Sequence, residues 1–241
     1  MYVLSSPTTT SDKCPLQLYE EYVSENETAT IDDISRLLTS SMSARPCPRA
    51  QFQKDHGCIY AEFSVLPESS DLAVGLFAKK KTYSSIIRFS SAGGPEIPSH
   101  ILPDTQPDIR GLSIKLLHVR NAGQMLLPDE KQATTMDFVF VNSPFYFIDN
   151  VKNYHEYVTR SLNGTLDQYF LRNSNHQILL QEMTNLNISN PLYINWYSVT
   201  PYRFGSKAVK YVLLPCARES GNPVTTDDGF RSIVKSTLAR Q

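Results

Sequence analysis

Residues 49–66 read RAQFQKDHGCIYAEFSVL, and the change of character within this stretch indicates how the chain folds. The first nine residues are mostly polar or charged, and Phe52 is the only large apolar side chain among them. From residue 58 onward, β-branched and aromatic side chains alternate with smaller or polar ones, which is typical of a strand. We therefore predict a strand over 58–65 that is entered through a polar segment.

Five more segments show the same strand pattern, in two groups along the chain. These segments are 84–91, 111–119 and 136–142, then 193–200 and 208–214. Helical spacing of apolar residues predicts helices over 30–42, 71–80, 147–162, 165–185 and 227–240. Thr30 is the predicted cap of the first helix, and Ser69 or Ser70 that of the second. Because strands and helices fall into separate blocks, we predict an α+β fold with an antiparallel sheet.

The composition is that of an ordinary globular protein. The 241 residues carry a formal net charge of −1, which does not favour nucleic acid or an anionic membrane as a partner. The sequence has no signal-peptide pattern at its start, no apolar run of ~18 residues and no cysteine pair at metal-ligand spacing. We predict a cytoplasmic protein without metal, with an arm carrying one helix over 1–48 and the main domain over 49–241.

Four segments, in order along the chain, resemble the heme catalase superfamily, and especially its short catalase-related members. They are HGCIYAEFSV (56–65), IIRFSSAGG with PDIRGLSIKLLHV (86–94 and 107–119), MDFVFVNSPFYFIDNVKNY (136–154) and YSVTPYRFGSKAVKY (197–211). The resemblance implies an antiparallel β-barrel with flanking helices. About six of the family's eight strands are recognisable in the sequence.

The resemblance also implies roles for single residues at a heme site. Arg88 matches an arginine that pairs with a heme propionate, and Arg49 matches a second arginine on the propionate side. Asn142 matches the distal asparagine. Tyr154 falls where the family places an aromatic ring against the heme.

Two departures from the family pattern argue against ordinary catalase activity. The family's distal histidine is replaced by Phe52, and a phenyl ring cannot accept or donate a proton. His56 follows four residues later, where the short relatives have a similar histidine beside their distal one, so we do not interpret it as a replacement. The proximal tyrosine would follow the last barrel strands, and the sequence ends at Gln241 before such a segment. Unless the sequence is a piece of a longer protein, heme iron would lack a protein ligand.

Each polar residue that could serve in a binding or catalytic site can also have a purely structural role, and the sequence does not decide between the two. Asp108 and Arg110 match a D-x-R-G pair that we interpret as structural. Arg88 can form an ion pair inside a barrel, and Asn142 can hydrogen-bond the turn that follows it. Asp137 opens a hydrophobic strand, and an inward orientation would make it a buried carboxylate with a shifted pKa.

The preferred hypothesis is a catalase-like protein whose pocket binds or transforms a small organic molecule, as a biosynthetic isomerase, cyclase or lyase of secondary metabolism. The predicted catalytic residues are Arg88, Asn142 and Asp137. The predicted substrate-binding residues are Arg49, Phe52, Tyr154, Phe147 and His56. The phenylalanines also fit a hydrophobic core. No cofactor is predicted, and heme is the less favoured option.

Two alternatives remain. The first is a heme-binding peroxidase or hydroperoxide-processing enzyme, and the second is a non-catalytic binding or accessory protein. A Soret band would separate the first from the other hypotheses. Because only six strands are recognised, we also expect unpaired sheet edges, covered by the helix over 227–240 or by a second copy in a homodimer.

Overall fold

The computed structural model describes residues 2–4, 26–42, 49–67, 72–97, 101–120, 133–185, 187–218 and 221–240. Within these ranges the strands are β1 (Tyr2–Leu4), β2 (Lys54–Val65), β3 (Lys81–Ser91), β4 (Arg110–Leu116), β5 (Met136–Val141), β6 (Trp196–Ser198), β7 (Tyr202–Phe204) and β8 (Lys207–Leu213). The α-helices are α1 (Glu27–Met42), α2 (Val151–Leu162), α3 (Leu166–Arg172), α4 (Ser174–Thr184) and α5 (Gly229–Leu238). The predicted capping residues Ser69 and Ser70 lie outside the described residues.

The strands form an antiparallel sheet in the order β1-β8-β6-β5-β4-β3-β2, and β7 pairs with β8. The longest ladder joins β2 and β3, from Lys54 opposite Ser91 to Val65 opposite Lys81. A register shift between Asp55 and Gly57 marks a β-bulge at the start of β2. After this bulge the side chains of β2 alternate between a partly buried inner face and an exposed outer face, and Val65 at the end of the strand is buried.

The sheet curls around an aromatic core on its inner face. Phe63 of β2 stacks on Phe138 of β5 with ring centroids 5.7 Å apart, although β3 and β4 lie between these strands. In a flat sheet the two strands would be about 14 Å apart, at ~4.8 Å for each neighbour. Phe89 of β3 and Trp196 of β6 also meet across the interior, with centroids 6.1 Å apart. The prediction of an α+β fold with a curled antiparallel sheet is confirmed.

A second hydrophobic core lies between the helices and the ends of the strands. Helix α1 packs on α2, α2 on α3, and α3 on α4. Tyr157 of α2 and Tyr169 of α3 are almost fully buried there, together with Val141 at the end of β5. Ile34 of α1 belongs to the same core, so the helix of the predicted arm packs with the main domain. The boundary at residue 48 stays a prediction.

Helix α5 packs against β2, the last strand of the sheet order. The ring of Phe230 stands edge-on to His56 with centroids 5.3 Å apart. Arg231 Nη2 donates a hydrogen bond of 2.6 Å to the backbone oxygen of Asp55. The prediction that the final helix covers an end of the sheet is confirmed for β2.

Several local predictions were wrong. None of the described residues 72–80 is α-helical: Gly75–Ala78 form a 3-10 turn, and the left-handed φ of 56° at Gly75 does not continue an α-helix. The strand predicted over 193–200 shortens to Trp196–Ser198, because Pro191–Tyr193 form another 3-10 turn. Strands β1 and β7 were not predicted, since three residues are too few to show a period of two.

Candidate functional site

Two hollows meet at Phe52, and Gln51 and Phe52 line both of them. The outer hollow, with a volume of about 250 Å³, lies on the outer face of β3, β4 and β5. Its other walls include Arg49, Arg88, Ser90, Gly111, Ser113 and Val139. The inner cavity, with a volume of about 160 Å³, lies in the second core. Its other walls include Ala92, Asp108, Tyr146, Phe147, Tyr157 and Leu180.

Phe52 has a backbone conformation that phenylalanine rarely adopts, with a φ of 55°. Its N–H donates to the oxygen of Ala92 at 3.1 Å, and its own oxygen accepts from Arg88 Nη2 at 2.9 Å. The ring lies directly against Gly111, where a Cβ would come within 2.5 Å of Phe52 Cε1. Only a glycine at position 111 leaves room for the ring where it stands.

Arg88 holds the segment before β2 in place. Its Nε donates to Asp55 Oδ1 at 3.1 Å, and its Nη2 bonds to the oxygen of Phe52. Only 17% of the side chain is exposed. Of the two arginines on the outer hollow, Arg88 is therefore the one already engaged by the protein.

Arg49 is exposed and lines the same hollow. Its backbone oxygen accepts from Gln53 Nε2 at 2.6 Å. Among the described residues, nothing pairs with its guanidinium group. Arg49 can therefore meet an anion in the outer hollow without first breaking a described contact.

The inner cavity is walled mainly by aromatic rings. The ring of Phe147 lies 5.3 Å from that of Tyr157 and 4.9 Å from that of Tyr146. The hydroxyl group of Tyr157 donates to the oxygen of Pro95. Burial raises the pKa of Tyr157 and of Tyr146 above the usual value for a phenol, so both side chains are neutral at physiological pH.

Tyr154 supports this wall from behind. It lies one helical turn before Tyr157 on α2, and the two rings stack with centroids 6.2 Å apart. Burial raises the pKa of Tyr154 as well. Of the predicted substrate-binding residues, Phe52 and Phe147 touch the inner cavity, and Tyr154 contacts one of its walls.

Asp108 is a buried carboxylate on the wall of the inner cavity, with 1% of its surface exposed. It accepts hydrogen bonds from the backbone N–H groups of Gly93, Gly94 and Ile109 at 2.8 to 3.0 Å. Burial raises its pKa, although these three bonds and Arg110 favour the charged form. Its first role is to hold the loop after β3 against the start of β4.

Besides Arg88, the predicted catalytic residues are Asn142 and Asp137, and the side chains of both are engaged by other parts of the protein. Asn142 Oδ1 accepts from the N–H of Arg110 at 2.9 Å, and its Nδ2 donates to the oxygen of Met183 at 3.0 Å. Both ends of this amide thus connect backbone segments. Asp137 does not point inward: it is half exposed on the outer face of β5 and pairs with Lys115 Nζ at 2.8 Å. The alternation that buries Phe138 forces its neighbour outward.

His56 belongs to a separate buried network rather than to the walls of either hollow. Its Nε2 lies 2.7 Å from Ser91 Oγ, which also accepts from Arg110 Nη1 at 2.6 Å. Its Nδ1 lies 3.7 Å from Asp104 Oδ1 and has no hydrogen-bond partner among the described residues. Lys54 Nζ lies 2.9 Å from the same carboxylate oxygen, a charge contact without the alignment of a hydrogen bond.

The sequence analysis missed several residues of the inner cavity. Tyr157 lies three residues after Tyr154, so helical spacing placed both on one side of α2 and could have identified it. Gln51, Ala92 and Leu180 carry no such signal, because long-range packing brings them together.

Neither a metal centre nor a membrane span is found in the described ranges. They hold no group of three or more His, Cys, Asp or Glu side chains that could bind a metal ion. No helix in the described part of the chain is both long and apolar enough to cross a bilayer. Two further hollows, beside Ser236 on α5 and beside Gln106, are lined by none of the predicted site residues.

Comparison with known proteins gives matches at the level of structure. No family model and no curated protein matches the sequence. A fungal catalase matches with a TM-score of 0.50 and 17% identity, over 88% of this chain and 41% of that one. Catalase A from Saccharomyces cerevisiae (TM-score 0.46, 17% identity) is matched over 83% of this chain and 40% of its own. A bacterial catalase matches with a TM-score of 0.44 and 15% identity, over 80% of this chain and 38% of that one.

The chain thus spans about two fifths of the length of the catalases that it matches. Identities this low establish the shared fold alone. Together with the curled antiparallel sheet and its covering helices, the match to the fungal enzyme leads to one conclusion. This chain has a catalase-like α+β fold.

Proposed function

We propose that this catalase-like protein binds a small organic molecule in the inner cavity, without heme, and transforms it as a biosynthetic isomerase, cyclase or lyase. The observation that carries the proposal is the ring of Phe52. It lies against Gly111 at the position where the resemblance leads us to expect a histidine, and it closes a cavity walled by aromatic side chains.

The wall residues do not suit heme iron. The described walls of the outer hollow contain no tyrosine, histidine, cysteine or methionine that could ligate it. In the inner cavity, Tyr146 and Tyr157 have a raised pKa, whereas an iron ligand of this kind is the deprotonated phenolate. Arg88, the matched propionate partner, is bonded to Asp55 and Phe52 instead. Heme therefore has no part in the proposed reaction.

The size and lining of the inner cavity favour a molecule with one ring. Its volume is about 160 Å³, and an apolar cavity of similar size in another protein holds benzene. The rings of Phe147 and Tyr157 offer edges and faces to an apolar or aromatic guest. The cavity also contains Asp108, a carboxylate whose pKa is raised by burial. This group is the reason to prefer an enzyme that moves a proton over a binding protein.

The test combines hemin titration with binding of ring-sized probes to the full chain. We expect no Soret band after hemin is added, and we expect phenol to raise the melting temperature and to saturate near one molecule per chain. Ala92→Leu should fill the inner cavity and abolish phenol binding. Ala208→Leu, on the exposed side of β8, is the matched control and should leave binding unchanged.

A Soret band that saturates near one heme per chain would replace the proposal with the heme-binding alternative. Binding of phenol that Ala92→Leu does not affect would show that the inner cavity is not the site. If neither hemin nor phenol binds, the accessory-protein alternative becomes the better account.

A further inference from the structure

We infer that the two hollows are halves of one amphipathic binding site, with Phe52 as the residue that determines specificity between them. The ligand class is a monocarboxylate that carries one ring-sized apolar group. The inference rests on the proposed function, since it assigns the ligand of the same cavity.

The two hollows share their dividing wall. Gln51 and Phe52 line both of them, and the side chain of Phe52 is the larger of the two. The inner cavity is walled by the rings of Phe147 and Tyr157 and by Asp108, whose carboxylate is engaged by backbone N–H groups. The outer hollow has apolar walls as well, and its polar groups are Arg49 and serine hydroxyl groups. A ligand that filled both would have an apolar end and a polar end.

The backbone of Phe52 is fixed while its ring has only packing contacts. The N–H group is held by Ala92 and the carbonyl group by Arg88, and these two bonds keep the residue at its left-handed φ of 55°. The ring is held only by contacts such as that with Gly111. Rotation of the side chain about χ1 would therefore open the wall without breaking either hydrogen bond. Strained backbone of this kind is concentrated at functional sites.

The charge of the polar end follows from the two arginines. Arg88 is bonded to Asp55 and to Phe52, whereas the guanidinium group of Arg49 is unpaired among the described residues. A guanidinium group binds a carboxylate through two parallel hydrogen bonds. The resemblance suggested both arginines as partners of an anion, and the contacts of Arg88 leave Arg49 as the one whose guanidinium group is available. Ser113 on the same wall offers a neutral hydrogen-bonding group.

The experiment measures binding of toluene, phenylacetate and 3-phenylpropanoate to the full chain by calorimetry. Phe52→Gly removes the dividing ring and suits the left-handed backbone. We expect it to weaken toluene binding and to strengthen 3-phenylpropanoate binding about tenfold, with Phe52→Leu in between. Arg49→Gln should weaken the binding of both carboxylates about threefold to tenfold, and the effect should be smaller at high salt. The binding of toluene should stay unchanged.

Matched controls separate these effects from general loss of structure. Phe145→Ala removes a half-buried phenylalanine of the same core that lines neither hollow, and Arg203→Gln removes an exposed arginine on β7. Neither should change the order of the three affinities. Circular dichroism of each variant shows whether it is folded.

The outcomes distinguish the two proposals. If toluene binds but Phe52→Gly affects all three probes equally, or Arg49→Gln leaves both carboxylates unchanged, the amphipathic site is wrong and the proposed function stands. If no probe binds to the wild type or to any folded variant, the proposed function itself fails. Tighter binding of 3-phenylpropanoate to Phe52→Gly, lost again on adding Arg49→Gln, supports the inference.

Discussion

At the scale of single residues, His56 shows a large effect of burial on a titratable group. It is 2% exposed, and burial lowers its pKa to about 4 from a usual value of 6.5. Asp104 opposes the shift, whereas Arg110 and Lys54 add to it. The unfolded chain therefore takes up a proton between pH 6.5 and 4 that the folded chain does not.

This difference predicts how stability depends on pH. The contribution of His56 to the free energy of unfolding is present above pH 6.5 and is lost as the pH falls to 4, by about 3 kcal/mol for a shift of this size. Urea unfolding between pH 7 and 4 measures it. His56→Gln should flatten the curve relative to the wild type, and His118→Asn, at an exposed histidine, should not. An equal slope in both variants would contradict the assignment.

Asp108 gives a second prediction at this scale. Asp108→Asn replaces an acceptor of three backbone hydrogen bonds by a group that is itself partly a donor. We expect the free energy of unfolding to fall by about 1–3 kcal/mol. Asp137→Asn, at the exposed pair with Lys115, should cost less than about 1 kcal/mol. Denaturant melts of both variants decide the comparison, and equal losses would mean that the loop after β3 does not depend on Asp108.

At the scale of elements, β4 and the segment before β2 fit together through one glycine. Gly111→Ala would place a Cβ 2.5 Å from the ring of Phe52, and we expect a cost of about 1–3 kcal/mol from overpacking. In the double variant with Phe52→Gly this cost should largely disappear. The coupling energy from a double-mutant cycle measures the contact directly. If the two substitutions changed the free energy of unfolding additively, the ring of Phe52 would not be in contact with residue 111.

Helix α5 offers a test of the covered end of the sheet. Phe230 is 2% exposed and contacts His56 and the guanidinium group of Arg110, 4.9 Å from its ring. Phe230→Ala should lower the free energy of unfolding by about 3–5 kcal/mol, as for other buried phenylalanines. Leu171→Ala on α3, 82% exposed, is the control and should have little effect. A small loss at Phe230 would mean that α5 contributes little to the fold.

Much of the element pattern could be predicted from sequence. Strands β2 to β5 are long enough for the alternation along them to be visible, and each was predicted near its observed position. The bounds differ, since β2 begins at Lys54 rather than at 58, β3 begins at Lys81 rather than at 84, and β4 ends at Leu116 rather than at 119. The same alternation also places Asp137 on the outer face, which the sequence analysis did not use.

The site was harder to predict. Arg49, Phe52 and Phe147 do line hollows, but the bonds of Asn142 to Arg110 and Met183 join segments far apart in the chain.

At the scale of the whole molecule, the two ends of the sheet differ. The β2 end packs against α5, and the other end is β1, which pairs with β8. Pairing of β1 with a second copy would extend the sheet, so we expect a homodimer in sedimentation velocity whose population rises with protein concentration. A monodisperse monomer across the concentration range would contradict this expectation.

The described residues form two hydrophobic cores, one inside the curled sheet and one beneath the helices, and the inner cavity lies in the second. This separation has an evolutionary consequence. Substitutions in the walls of the inner cavity fall in the second core and leave the side chains inside the sheet unchanged. Under the proposed function, a lineage could change the molecule that the inner cavity accepts while the first core keeps the sheet folded.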